Sequence, residues 1–280
     1  MRKRLFTVTI LSILLFLSLK INAQMPFTMN TSGHIIIKAK INNVEGDFIL
    51  DTGAGLNAIF TKFSQKLKNE KTGNFFVGHR ATGEELNLDL YNATGFEMNN
   101  RKFKDQQYAI VDLDFGDIDG IISLQPFINT PLTIDYLNKK IVFDKATKNE
   151  KSIDIQIADY AGRALDIFTY IKLNNTLKIQ TLLDSGAGKK SFWFSSKLME
   201  PLTLDKADFK VVPVKSDFKK ENNYYIGKLS KLNTVNNLRR VEGLDVAFVD
   251  GLIYEGKTSI DWLGNVLTID IAKKKIFIAE

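Results

Sequence analysis

Ile49-Leu50-Asp51-Thr52-Gly53-Ala54-Gly55 returns 133 residues later as Leu182-Leu183-Asp184-Ser185-Gly186-Ala187-Gly188. One Asp-Thr-Gly or Asp-Ser-Gly tripeptide carries little information. Two copies that share an apolar lead-in and an Ala-Gly exit carry a great deal, and the flanks repeat as well. Upstream, Lys40-Ile41-Asn42-Asn43 matches Lys172-Leu173-Asn174-Asn175 at an offset of 132. Downstream, Asp119-Gly120-Ile121-Ile122 matches Asp250-Gly251-Leu252-Ile253 at 131, and Lys139-Lys140-Ile141-Val142-Phe143 matches Lys274-Lys275-Ile276-Phe277-Ile278 at 135. Four blocks in one order at a nearly constant offset define an internal repeat, with loop insertions accounting for the drift. The halves expected from it are residues 24–150 and 155–280, joined by the polar, lysine-rich stretch 145–152.

Each half reads as β. Short apolar runs at Ile35 to Ile41 and Phe48 to Leu50 flank the turn residues Asn42-Asn43 and Gly46. Ile167 to Leu173 and Ile179 to Leu183 flank Asn174-Asn175 in the same way. Both patterns predict a hairpin whose second strand runs straight into an Asp. A further strand is expected at Tyr108 to Leu113, with short helices at Thr61 to Lys68 and Ser195 to Met199. No segment sustains a long 3.6-residue period, so the class is all-β.

The residue types in the repeated loop fit one chemistry. Two carboxyls held side by side cannot both ionise easily, so the pair keeps one proton over a range of pH. One member can then take a proton from a water while the other donates one to a carbonyl oxygen, which hydrolyses a peptide without a metal or a covalent intermediate. Asp51 and Asp184 are the candidate catalytic pair, one from each half. Gly53 and Gly186 leave room for backbone beside the carboxylates. Thr52 and Ser185 supply hydroxyls able to bond the opposite half and fix the geometry.

These loops resemble those of the retropepsin-like and pepsin-like aspartic peptidases, in particular exported bacterial members with both lobes in one chain. The resemblance rests on Leu50-Asp51-Thr52-Gly53-Ala54 and Leu183-Asp184-Ser185-Gly186-Ala187, with the later segments Ile118 to Ile122 and Val249 to Ile253. It implies a bilobal aspartic-peptidase fold: two homologous β-barrel-like lobes, a catalytic cleft between them and a few short helices. It also implies that each later segment crosses beneath a catalytic loop in a ψ-shaped arrangement. Thr133 to Tyr136 with Lys140 to Phe143, and the copy Thr268 to Asp270, resemble the family's closing hairpin. Two features depart from the pattern. Ser123 and Tyr254 stand where a second glycine usually follows, and the candidate flap, Arg80-Ala81-Thr82-Gly83, has no Tyr before it.

Residues 1–23 carry Arg2, Lys3 and Arg4, then a run of apolar residues from Leu5 to Leu19, then Ala23 before Gln24. That order reads as a cleaved secretory signal, too short in its apolar run for a spanning helix. The chain has 38 basic and 32 acidic residues, and this segment holds four of the basic ones, so the rest is 34 against 32, or +2. No nucleic-acid motif accompanies that near-balance. An exported chain with no cysteine is expected to be stable without disulfides and soluble in a periplasm or outside the cell.

Other constellations are weaker. His34 and His79 are the two histidines, read as a strand-edge residue and a structural or solvated one, and they make no zinc site. Asp112, Asp114, Asp117 and Asp119 fit a solvated loop better than a calcium loop. Phe192, Trp193 and Phe194 are read as lobe core in preference to substrate pocket. The function expected is an aspartic endopeptidase without cofactor or metal, acting as a monomer on polypeptides. The alternative is a non-catalytic peptide-binding module on the same bilobal fold. An obligate dimer is disfavoured because the repeat already supplies both halves of a site.

Overall fold

The computed structural model describes residues 24–143, 151–216 and 220–279. The expected signal segment, 1–23, and residues 145–150 of the expected connection lie outside the described residues. The regular structure of the described residues is strand, apart from one short α-helix at Thr61–Ser64 and brief 3-10 turns. None of its helices is long and apolar enough to cross a membrane.

The repeat in the letters is a repeat in the backbone. Ile35–Ile41 pairs antiparallel with Val44–Leu50 through a two-residue turn in which Asn42 and Asn43 have φ of 50° and 68°. Asn tolerates this left-handed conformation, which a tight hairpin demands at both central residues. Leu165–Leu173 pairs likewise with Leu177–Leu183, with Asn174 and Asn175 at φ 48° and 64° and Thr176 as one extra turn residue. That single insertion moves the offset from 132 to 133. Val44–Leu50 and Leu177–Leu183 have the same alternation of buried and open positions, ending in three buried residues before the Asp.

Each hairpin belongs to its own sheet. The first-lobe sheet has the order Glu70–His79, Glu85–Ala93, Gln106–Val111, Asn57–Phe60, Gly120–Ile122, Val44–Leu50, Ile35–Ile41, Phe96–Met98, Arg101–Phe103. The second runs Gln156–Asp159, Leu165–Leu173, Leu177–Leu183, Gly256–Thr258, Phe192–Ser195, Arg240–Val249, Glu221–Thr234, Lys210–Lys215.

A third sheet joins the lobes and reads as a palindrome. Its order is Gln24–Pro26, Lys140–Phe143, Leu132–Asp135, Val266–Asp270, Lys275–Ala279, Ser152–Asp154. At its centre Thr133 faces Thr268, and their buried hydroxyls bond at 2.8 Å. These are equivalent residues of the two halves, so the pair marks the local two-fold axis. Apolar side chains of this sheet, among them Leu132, Ile134, Leu267 and Ile269, are continuous with the first-lobe core around Phe48, Phe63 and Phe127. A separate second-lobe core surrounds Phe194, Leu229 and Phe248.

One expected match is corrected by the pairing. Gly120–Ile122 lies parallel to Val44–Leu50 and antiparallel to Asn57–Phe60. The second-lobe strand in that position is Gly256–Thr258, not Gly251 to Ile253. Backbone bonds agree: Phe60 N–H donates to the Asp119 carbonyl, and Ser195 N–H donates to that of Glu255. The Asp119 carboxylate accepts from Asp47 N–H, and that of Glu255 from Gln180 N–H. Glu255-Gly256-Lys257-Thr258 is therefore the counterpart of Asp119-Gly120-Ile121-Ile122. Asp250-Gly251 sits in a turn after Arg240–Val249, where Gly251 has φ 74°. The glycine is needed at 120 because a Cβ there would lie 2.4 Å from the Ala58 carbonyl oxygen.

Candidate active site

Val44–Leu50 and Leu177–Leu183 end in Asp51 and Asp184, and each Asp is pinned by the ψ-crossing strand beneath it. Asp51 N–H donates to the Ile122 carbonyl at 2.9 Å, and Asp184 N–H to that of Thr258 at 2.8 Å. The hydroxyls of the two loops then cross between lobes. Thr52 Oγ1 donates to the Leu183 carbonyl at 2.7 Å and accepts from Ser185 N–H at 3.0 Å. Ser185 Oγ donates to the Leu50 carbonyl at 2.7 Å and accepts from Thr52 N–H at 3.0 Å. All four bonds are buried, and together they clamp one loop on the other.

The glycines set how closely the loops approach. A Cβ on Gly186 would sit 2.1 Å from Asp51 Oδ2, and one on Gly53 would sit 2.7 Å from Asp184 Cγ. The two carboxyls face each other closely enough to interact directly, and Asp184 Oδ1 is buried with no other hydrogen-bond partner. Gly53 N–H also donates to Asp51 Oδ1 at 2.8 Å.

The pair is electrostatically unequal. Burial pushes Asp51 well above the usual carboxylate range, and the charge of Asp184 and their direct interaction push it further. Burial pushes Asp184 the same way, but the Lys257 ammonium, the interaction with Asp51 and the bonds from Lys257 and Ala187 N–H outweigh it and hold Asp184 low. Lys257 Nζ donates to Asp184 Oδ2 at 2.6 Å, and both residues are buried.

The cleft above the carboxyls encloses about 700 Å³. Asp166 opens onto it, accepting from Gly55 N–H at 3.2 Å and Tyr160 O–H at 3.3 Å. Burial raises Asp166 to about 6, with a smaller push from Asp184. His34 lies at the matched place of the first lobe, half-buried, with burial lowering its pKa and Asp184 and the Gly186 carbonyl opposing. Tyr254 lines the cleft too, its hydroxyl raised by burial and by Asp166, Tyr160 and Asp184. Among the described residues no group of three or more His, Asp or Glu converges as metal ligands.

Arg80-Ala81-Thr82-Gly83 form the tip of the hairpin Glu70–His79 and Glu85–Ala93, closed by a bond from Gly83 N–H to the Arg80 carbonyl at 2.8 Å. Arg80, Ala81 and Thr82 line the cleft from above. The second lobe reaches the same tip: Ile253 N–H donates to the Ala81 carbonyl and Lys220 Nζ to that of Thr82. Ser216 and Lys220 belong to the turn between Lys210–Lys215 and Glu221–Thr234, so hairpins of both lobes roof the cleft.

Two residues of this site, Lys257 and Asp166, escape a reading of the letters, and a third, His34, is read there only as a strand-edge residue. Lys257 is hidden by the false match at Asp250-Gly251, since the true register sets it opposite Ile121. Asp166 and His34 stand 132 apart, the same offset as the upstream block, but an acid and an imidazole do not look like a repeat. Trp193 is a further correction. Phe192 and Phe194 are core, whereas Trp193 lines the cleft under Lys257, whose ammonium is 4.4 Å from the ring centroid. Of the acidic run, Asp119 is half-buried in the ψ strand's bonding, and Asp114 caps its own turn at Gly116 N–H.

No curated protein matches the chain. Residues 37–125, which hold the first Asp loop, the candidate flap hairpin and the strand Gly120–Ile122, match the family model described as aspartyl protease.

Proposed function

We propose that the chain is an aspartic endopeptidase in which Asp51 and Asp184 activate one water against a peptide bond. The observation that carries this is the meeting of the two carboxyls at the floor of a roofed cleft, each carboxyl coming from one half of the repeat. One carboxylate takes a proton from the water as its oxygen attacks the carbonyl carbon, and the other acid protonates the carbonyl oxygen. The resulting gem-diol collapses as a proton passes to the nitrogen and the C–N bond breaks. The substrate on this reading is an extended peptide bound under the two hairpins, and because both carboxyls come from one chain the working unit is a monomer. The N-terminal segment reads as an export signal and puts the activity in a periplasm or outside the cell.

The test is a diverse peptide library incubated with the purified chain from about pH 3 to 8, a range spanning ordinary and raised carboxyl pKa values. Cleavage with a bell-shaped pH profile is expected, abolished in Asp51→Asn and in Asp184→Asn. A second reading has an observation of its own. Lys257 already occupies one oxygen of Asp184, as it would in a peptide-binding module that has lost turnover. Binding of library peptides without cleavage at every pH would establish that reading instead.

A further inference from the structure

The two halves agree in backbone at the ψ-crossing strand and differ in what they place there. In the first lobe Ile121 lies between Ile49 and Ala58. In the second, Lys257 lies between Leu182 and Trp193. Isoleucine on alanine has become lysine on tryptophan, and the new pair works as a unit. The indole face sits under the ammonium at 4.4 Å, and Nζ reaches Asp184 Oδ2 at 2.6 Å. Lys257 is 8% exposed and Asp184 6%. An ion this deep is tolerated only with its partner, and the lysine beside it favours the charged form of Asp184. Asp51 instead accepts from Gly53 N–H and has no cation bonded to it among the described residues. The other ionisable groups facing the pair are His34, ahead of Ile35–Ile41, Asp166 in Leu165–Leu173 and Tyr254 just before the lysine strand.

We propose that Lys257 is the positioning residue that fixes where the proton of the carboxyl pair resides, keeping Asp184 ionised and leaving the proton on Asp51. On the peptidase reading above, on which this consequence rests, the two carboxyls then have assigned roles. Asp184 takes the proton of the attacking water. Asp51 gives its proton to the carbonyl oxygen. In the collapse, Asp184 returns its proton to the nitrogen as the C–N bond breaks. Asp51 recovers one from a gem-diol hydroxyl as the new carbonyl forms, so the site ends in its starting state.

The placement is measured by carboxyl-carbon NMR on the full chain with ¹³C-labelled aspartate, the two signals assigned through Asp51→Asn and Asp184→Asn. In the wild type Asp184 is expected to titrate below the ordinary carboxyl range and Asp51 above it. Lys257→Met keeps the aliphatic stem and removes the charge. Both titrations should then move up by roughly one to three pH units, the effect of an opposite charge at this range. Both limbs of the activity profile should follow, whereas a merely structural role would lower turnover and leave the limbs in place. Asp184 titrating at or above Asp51 in the wild type, or unchanged titrations in Lys257→Met, would overturn the proposal. If that variant does not fold, the wild-type order alone decides. If the chain cleaves nothing, the proposed function fails while the titration still tests the proton's place.

Discussion

Thr52→Val keeps the shape of the side chain and deletes its hydroxyl. The structure gives that hydroxyl two buried bonds across the lobes, one donated to the Leu183 carbonyl and one accepted from Ser185 N–H. Each partner would be left facing a methyl group. A buried polar group stranded in this way costs about 1–3 kcal/mol. Two of them, with some relaxation of the loops, give a loss of about 2–4 kcal/mol. For a chain of this size each kcal/mol lowers Tm by roughly 2–4 °C, so a drop of about 4–15 °C is expected in a thermal melt. Turnover should fall as well, because the same bonds set the separation of the carboxyls. Ser185→Ala removes the mirror bonds, from Ser185 Oγ to the Leu50 carbonyl and from Thr52 N–H to Ser185 Oγ. The double variant should lose less than the sum of the two, since both act on one clamp. A melting point for Thr52→Val within about half a kcal/mol of wild type, with turnover intact, would show that the clamp holds nothing.

Two further perturbations follow from the geometry. Gly186→Ala would put a Cβ 2.1 Å from Asp51 Oδ2, so activity should vanish while much of the fold survives; an alanine variant with near-wild-type kcat would contradict the close approach of the loops. Asp166 is raised from 3.8 to about 6, so the folded state holds a proton that the unfolded state releases. That stability is complete below about pH 4 and is lost as pH rises to about 6, roughly 3 kcal/mol in all. Asp166→Asn should remove this dependence, seen as unfolding free energies that draw ahead of wild type between those pH values; parallel curves would refute it.

What could be read from the letters was whatever the two halves share. The Asn-Asn turns, the apolar lead-in strands and the Asp-Thr/Ser-Gly loops recur because a two-fold core needs the same turn chemistry and the same buried faces twice. The closing strands recur for the same reason, meeting at Thr133 and Thr268. The ψ strand of the second lobe was misplaced because short motifs of Asp, Gly and aliphatics occur by accident. Asp250-Gly251-Leu252-Ile253 fits the letters, but the loop before the true strand is two residues shorter than its counterpart. Strand pairing tells the two apart, since only Gly256 lies between Thr181 and Phe194. The roof of the cleft was half legible: a Gly-bearing turn at Arg80 to Gly83 is a local signal, whereas the second hairpin's approach through Lys220 and Ile253 is a tertiary fact.

The functional consequence lies in the positions where the halves disagree. A two-fold axis brings two carboxyls together with equal claims on one proton, and equal claims assign neither an acid nor a base. Side chains that differ across the axis are what can settle the matter. Two such pairs bring an ionisable group to the site in at least one half, Ile121 with Lys257 and His34 with Asp166. The first puts a fixed cation on Asp184. The second sets a half-buried imidazole opposite a buried carboxyl raised to about 6, so that below that pH Asp166 is largely uncharged and does not oppose the lysine. The first departure acts toward an ionised Asp184 and a protonated Asp51, and the second leaves that action unopposed below about pH 6. Repetition built the geometry of this cleft, and the breaking of repetition at Lys257 gives its two carboxyls different work.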